Sequence, residues 1–307
     1  MPVDRRHFLR AALAGAVSSS LTRRVFAQGA PPPIAATRLA SDVVLFAGDG
    51  GNIAAVVGND GLMLVDGGLA ERSTDLMKLM STRLEKSNVL TLFNTHWHFD
   101  HVGCNEPLGK GGAKIIAHEN TKKHLTTRTA MEVANRTFDP LKPEGIPSET
   151  FLTEGRLKFG TQSIEYVHIP QAHTDGDAYL FFPSINVLHT GDLMFNGTFP
   201  VIDYSNGGWI GGMAAAAEAL GKVGDARTRI IPGHGPLATK DDLKATHDML
   251  ATIHDRVAAM IKAGKTLDEA VAAKPTQEFD AKYGQGIRKP DAFVQVAYTS
   301  ILRHNKM

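Results

Sequence analysis

Thr95-His96-Trp97-His98-Phe99-Asp100-His101 is the stretch on which the reading of this chain turns. Three imidazoles and a carboxylate crowd together directly after Asn88 to Phe93, an apolar run that reads as a buried strand. Imidazole nitrogen and carboxylate oxygen are the donors that borderline divalent ions such as Zn²⁺ take, and one zinc accepts about four. Residues two apart in an extended segment point the same way, so His96 and His98 share a side. Asp100 and His101 fall past a turn onto another side, so two adjacent metal sites are expected.

Later donors stand among Gly and Pro turn residues. They are His173 in Gln171-Ala172-His173-Thr174-Asp175-Gly176, Asp192 in His189-Thr190-Gly191-Asp192, and His234 in Pro232-Gly233-His234-Gly235. Loops at strand ends are where a rigid scaffold displays functional groups. The candidate ligands are then His96, His98, Asp100, His101, His173, Asp192 and His234.

Outward from these motifs the pattern is β-rich, then helical. Val43 to Phe46, Ile53 to Val57 and Leu62 to Val65 read as strands, with Gly58-Asn59-Asp60-Gly61 as a hairpin turn. Leu69 to Leu84 has helical spacing, Ala113 to Ala117 reads as a strand, and Glu119 to Asn135 as an amphipathic helix before a Pro-rich loop at Asp139 to Pro147. A second strand set covers Leu157 to Phe159, Ser163 to His168, Ala178 to Phe182 and Val187 to His189. Gly51 to Asp66 and Gly176 to Asp192 share one layout of Gly, polar residue, strand, turn, strand and acid, which suggests an internal duplication. The last third reads as helices at Met213 to Leu220, Asp241 to Lys262, Leu267 to Ala273 behind the capping box Thr266 to Glu269, and Ala292 to Leu302.

These separated motifs, in this order, resemble the metallo-β-lactamase superfamily across residues 42–240. The resemblance implies an α/β fold, an αββα four-layer sandwich with its metals at one edge of two sheets. Residues 241–307 would add C-terminal helices packed on the same domain. By the same resemblance His96, His98 and His173 hold a first metal, Asp100, His101 and His234 a second, and Asp192 bridges them, with Asp66 in Leu64-Val65-Asp66-Gly67-Gly68 as a supporting acid. Two Zn²⁺ ions per chain are implied, iron or manganese being the other metals considered.

Zinc lowers the pKa of bound water to about 7 and polarises carbonyl oxygen, so hydrolysis of an ester, lactone, thioester or lactam by metal-bound hydroxide is the expected reaction. Asp100 is the candidate catalytic residue, and it or a bound water would hand a proton to the leaving group. The Asp192 pattern resembles the glyoxalase II-like branch, although Phe195-Asn196-Gly197-Thr198 replaces that branch's Gly-Cys-Gly-Arg continuation. Two other readings stay open, a mononuclear iron persulfide dioxygenase-like enzyme and a non-catalytic metal-binding accessory protein. Metal content separates them.

The remaining residues set bounds. The chain has 307 residues, 43% hydrophobic and 21% charged, values that exclude disordered, collagenous and coiled-coil classes. One cysteine, Cys104, forms no intramolecular disulfide and reads as a buried small side chain. No Gly-x-Ser-x-Gly elbow supplies a nucleophile. His118 and His124 lie six apart, so they form no His-Glu-x-x-His zinc helix and read as capping or surface groups. His168 and His189 read as structural. Tyr204, Gly207-Gly208 and Trp209 read either as a substrate-facing loop or as surface packing.

Residues 1–27 differ in character. Arg5-Arg6 precede the weakly apolar Ala11 to Leu21 and the small-residue site Val25-Phe26-Ala27, which resembles a twin-arginine export signal cleaved near Ala27. Residues 28–41 then form a Pro-rich spacer. Export to the periplasm follows as the expectation, with the twin-arginine machinery as a partner. The signal holds five Arg and one Asp, so the processed chain carries −3 against +1 for the whole and offers no electrostatic footprint for nucleic acid. The expected ligand is a small acyl compound, with no membrane insertion after processing, since no apolar run of about 18 residues occurs.

Overall fold

Alternate residues of the first strands bury on opposite faces, and that alternation builds the layers. In the computed structural model, which describes residues 33–306 except Asp49, the strands are β1 (Ala35–Arg38), β2 (Val43–Ala47), β3 (Ile53–Val57), β4 (Leu62–Val65), β5 (Val89–Phe93) and β6 (Lys114–His118). With β9 (Glu149–Phe151) they form one sheet in the order β1-β2-β3-β4-β5-β6-β9, while β7 (Thr129–Met131) and β8 (Arg136–Phe138) pair separately. A second sheet runs β10 (Glu154–Phe159), β11 (Gln162–His168), β12 (Ala178–Phe182), β13 (Val187–Phe195), β14 (Arg229–His234). Residues 1–27, where the export signal is expected, lie outside the described residues.

Val43, Leu45, Ala54, Val56 and Phe93 meet Ile164, Leu180, Phe182 and Ile231 between the sheets. Val44, Phe46, Ile53 and Leu64 face the other way, onto Leu76 and Met80 of α1 (Ser73–Leu84) and Leu108 of α2 (Asn105–Lys110). The second sheet's outer residues Leu188 and Ile230 are covered from α4 (Ile210–Gly221), α5 (Lys240–Lys262) and α8 (Pro290–His304), through Met213, Leu250 and Phe293. Between α2 and α4 lies α3 (Glu119–Thr126), and α6 (Leu267–Ala272) and α7 (Asp280–Tyr283) connect α5 to α8. The four layers are thus helix, sheet, sheet, helix, an αββα sandwich. Both sheets repeat one topology, since β3 and β4 pair antiparallel before β4 runs parallel to β5, and β12 and β13 pair antiparallel before β13 runs parallel to β14.

Some elements depart from the sequence pattern. Within the spacer expected over residues 28–41, Ala35–Arg38 form β1 and pair antiparallel with β2, so the first sheet begins inside it. The helix expected over Glu119 to Asn135 stops at Thr126, where β-branched Thr127 is extended (φ −126°, ψ 155°), and the chain turns into the β7–β8 hairpin. Asn135 closes that hairpin at φ 51°, a conformation Asn tolerates better than most residues. The strand expected over Val187 to His189 runs on to Phe195, so Asp192 sits within β13 beside a register shift at Gly191 (φ 51°) rather than past the strand end.

His118 ends β6 and caps α3, its Nδ1 accepting from the Asn120 backbone N–H at 3.2 Å. Its ring stacks on His168 at 3.6 Å and 14°. Burial lowers both rings below the ordinary 6.5, and for His118 the neighbouring His168 adds to the effect. Because the folded values lie below the unfolded one, the unfolded chain takes up protons first on acidification. This contribution to stability is intact above 6.5 and is lost as pH falls from there through the folded values. Thermal melts of His168→Gln should therefore show a flatter decline in Tm than the parent between about pH 7 and about pH 5; parallel curves would contradict it.

Candidate metal centre

All seven candidate ligands converge at one end of the two sheets. The loop after β5 brings His96, His98, Asp100 and His101, and its ends are clasped by reciprocal amide bonds between Asn94 and Asn105 (3.0 and 2.9 Å). The second sheet brings His173 from the loop after β11, Asp192 from β13 and His234 from the end of β14. Two groups result: His96, His98, His173 and Asp192, all buried, and Asp100, His101 and His234, with ligand atoms in each within 4.8 Å of one another.

Outer hydrogen bonds settle which ring nitrogen faces inward. His101 Nδ1–H donates to Asp66 Oδ2 at 2.8 Å, and Asp66, at φ 65° just past β4, also accepts from the Thr95 backbone N–H and hydroxyl, each at 2.8 Å. Since Thr95 Oγ1 donates to Asp66, it accepts from His96 Nδ1–H at 3.1 Å. His173 Nδ1–H donates to the Val201 carbonyl at 2.7 Å, and His98 Nε2–H donates to Asp203 Oδ2 at 3.1 Å. Each ring therefore turns a lone pair inward: Nε2 of His96, His101 and His173, and Nδ1 of His98. Such outer partners fix tautomer and orientation in metal sites.

That arrangement needs a positive charge at its centre. His98 Nδ1 and His173 Nε2 stand 2.8 Å apart, and His101 Nε2 and His234 Nε2 3.4 Å apart, each a meeting of nitrogens and not of donor with carbonyl. His96 Nε2 and Asp192 Oδ1 are buried without a hydrogen bond of acceptable geometry. Buried polar atoms are normally satisfied, and a cation among these lone pairs satisfies both. Nitrogen and oxygen donors with no thiolate suit zinc, and also iron or manganese.

Without a metal, protons take that place only on the side of His101 and His234, both raised above the usual histidine range by Asp192. Burial and the neighbouring His101 hold His96 well below the usual histidine range, and burial takes His173 to about 4. Burial opposes charge on His234 too, but Asp192 and Asp100 push it up to about 9. Asp100 resists its own burial because of His101 and His234, and stays at about 2, a carboxylate at neutral pH with Oδ2 3.2 Å from His234 Nε2.

Glycine is required where backbone meets ligand. A Cβ on Gly51 would stand 2.4 Å from His101 Cε1, and one on Gly233 1.9 Å from Asp192 Oδ1. Asp203 is absent from the sequence reading. Ser205 and Asn206 donate to it at 2.6 and 2.7 Å, a local turn, and nothing in that turn announces a contact with His98, 105 residues away. Tyr204 and Trp209 are packed, Tyr204 under Arg303 and Trp209 stacked on His304 at 3.6 Å. His124 bonds to Asp175 at 2.8 Å and belongs to neither ligand group.

Two such sheets with this His/Asp cluster at their common end define an αββα class with a candidate divalent-metal site. The family model of the Metallo-beta-lactamase superfamily matches residues 41–246, and the chain belongs to that superfamily. It is 23% identical to the metallo-beta-lactamase type 2 of Bacillus cereus over 190 residues, 62% of this chain and 69% of the relative. A hydroxyacylglutathione hydrolase of Gloeothece citriformis (strain PCC 7424) is 34% identical over 114 residues, covering 36% of this chain and 37% of the relative. The solved stereoselective inverting sec-alkylsulfatase Pisa1 from Pseudomonas sp. superposes with a TM-score of 0.67 at 18% identity, over 88% of this chain and 50% of that one.

Proposed function

We propose that this protein is a dinuclear zinc hydrolase of an ester, lactone, thioester or lactam, exported to the periplasm. The observation that carries the dinuclear reading is Asp192, whose Oδ2 faces His173 Nε2 (3.2 Å) and His96 Nε2 (3.8 Å) while Oδ1 faces His101 Nε2 (3.1 Å) and His234 Nε2 (3.5 Å). His96, His98 and His173 would hold one ion, Asp100, His101 and His234 the other, with Asp192 between them. Zinc in such a pair supplies a water ionised near neutral pH and a Lewis acid for the acyl oxygen. Asp100, half-buried at the edge of the cluster with Oδ2 3.2 Å from His234 Nε2, is the group that would carry a proton to the leaving group. The likeness to hydroxyacylglutathione hydrolase favours the thioester within this set.

Chelation should abolish hydrolysis of an activated ester or thioester, added zinc should restore it, and kcat/KM should rise through an apparent pKa near about 7. Cys104→Ala should stay active, because burial pushes that thiol up to about 12 and leaves no thiolate nucleophile. Hydrolysis that survives verified metal loss would overturn the mechanism, as would one iron per chain and no turnover of any acyl compound. Export rests on Arg5-Arg6 and Val25-Phe26-Ala27. Changing both arginines to Lys should hold the chain in the cytoplasm, and unchanged periplasmic recovery on fractionation would refute it.

A further inference from the structure

The β7–β8 hairpin lies directly against the metal-binding loop. Arg136 and Phe138 stand two apart on β8 and share a face. Phe138 stacks on Phe99 at 5.4 Å and 14°, and meets Trp97 at 5.8 Å. Trp97 and Phe99 alternate with His96, His98 and Asp100, so the hairpin covers the side chains interleaved with the ligands.

Over that aromatic pair lies the Arg136 guanidinium, 4.4 Å from the Phe99 centroid and 4.8 Å from that of Phe138. Arg136 is exposed, and among the described residues it has no carboxylate partner and no side-chain hydrogen bond. The other arginines around the hairpin are engaged: Arg128 with Asp139 at 3.6 Å, Arg303 with Glu132 at 2.6 Å, and Arg288 donating to the Val133 carbonyl at 2.6 Å. A guanidinium held against aromatic rings can keep N–H groups open to solvent, and its planar fork matches a carboxylate bidentately. One of these rings belongs to Phe99, chain neighbour of the ligands His98 and Asp100.

We infer that Arg136 is a specificity-determining residue that engages a carboxylate on the acyl substrate beside the metal-binding loop. This rests on the hydrolase reading and narrows it to anionic acyl compounds. A purely structural Arg136, pinning the hairpin to Phe99, is the competing account, and the two part in the charge dependence of turnover.

The test compares 4-nitrophenyl acetate with mono-4-nitrophenyl succinate, which adds a carboxylate to the acyl group, on the zinc-loaded parent and on Arg136→Met, which keeps an apolar stem over the rings. For the succinate ester kcat/KM should fall by about tenfold to a hundredfold, mostly through KM, with the acetate ester changed by less than about twofold. Arg136→Lys should recover part of the loss, since it restores charge without the planar fork. Equal losses on both esters, or none on either, would overturn the inference. If the parent hydrolyses neither ester, that counts against the hydrolase reading, and calorimetric titration with succinate decides the inference separately. Binding at least about tenfold tighter to the parent than to Arg136→Met supports it, and equal affinities refute it.

Discussion

Asp192→Ala should lower bound zinc from about two equivalents to fewer than about one, and reduce kcat/KM by more than about a hundredfold. Both carboxylate oxygens face imidazole nitrogens, Oδ2 toward His96 and His173 and Oδ1 toward His101 and His234, so one substitution removes a donor from each group. Loss of an outer-shell partner typically costs about 10- to 100-fold in metal affinity or activity, and loss of a shared ligand should exceed that. Elemental analysis of protein purified from zinc-supplemented cells checks it, with His118→Ala as the control expected to keep its metal. Two zinc equivalents in Asp192→Ala would show that the two sites do not share this residue.

Asp66→Ala should act on fold and site together. Its carboxylate is buried and accepts three donors, the Thr95 N–H, the Thr95 hydroxyl and His101 Nδ1–H. Removing it orphans all three, a loss on the order of 3–5 kcal/mol for breaking a buried charged network. His101 is then free to rotate or change tautomer, and the hydroxyl that orients His96 loses its own acceptor. Zinc affinity should fall by about 10- to 100-fold beyond the change in Tm. Equilibrium unfolding in chelator isolates the first effect and competition with a zinc indicator the second. Asp66→Asn should fall between, since its carbonyl still accepts one of these bonds.

The candidate ligands were legible in the sequence because metal chemistry restricts donor types and because turn residues mark where strands end. Both sheets repeat an antiparallel-then-parallel strand pattern, and each carries an acid late in it, Asp66 just past β4 and Asp192 within β13. What the sequence did not disclose has a common physical character. The Asp203–His98 bond joins residues 105 apart through a turn that would look the same anywhere, and no local periodicity encodes such a contact. Likewise Glu119 to Asn135 keeps helix-like apolar spacing, yet the β-branched Thr127 and the left-handed Asn135 turn it into a helix followed by a hairpin. Tertiary packing of Phe138 on Trp97 and Phe99 rewards the hairpin, and local propensity sees none of it.

The ligands are divided between the halves. His96, His98, Asp100 and His101 follow the first sheet, and His173, Asp192 and His234 belong to the second. Neither half holds four donors to one ion in the proposed assignment, so an ion bound here is a conditional cross-link between two otherwise separately built sheets. Such a link strengthens with free metal by mass action, by about 2.7 kcal/mol per site at a hundred times its dissociation constant. Resistance to unfolding in this protein should therefore report the free zinc of its surroundings, so that a metal-poor compartment holds a looser molecule and a metal-rich one a tighter molecule made from the same chain.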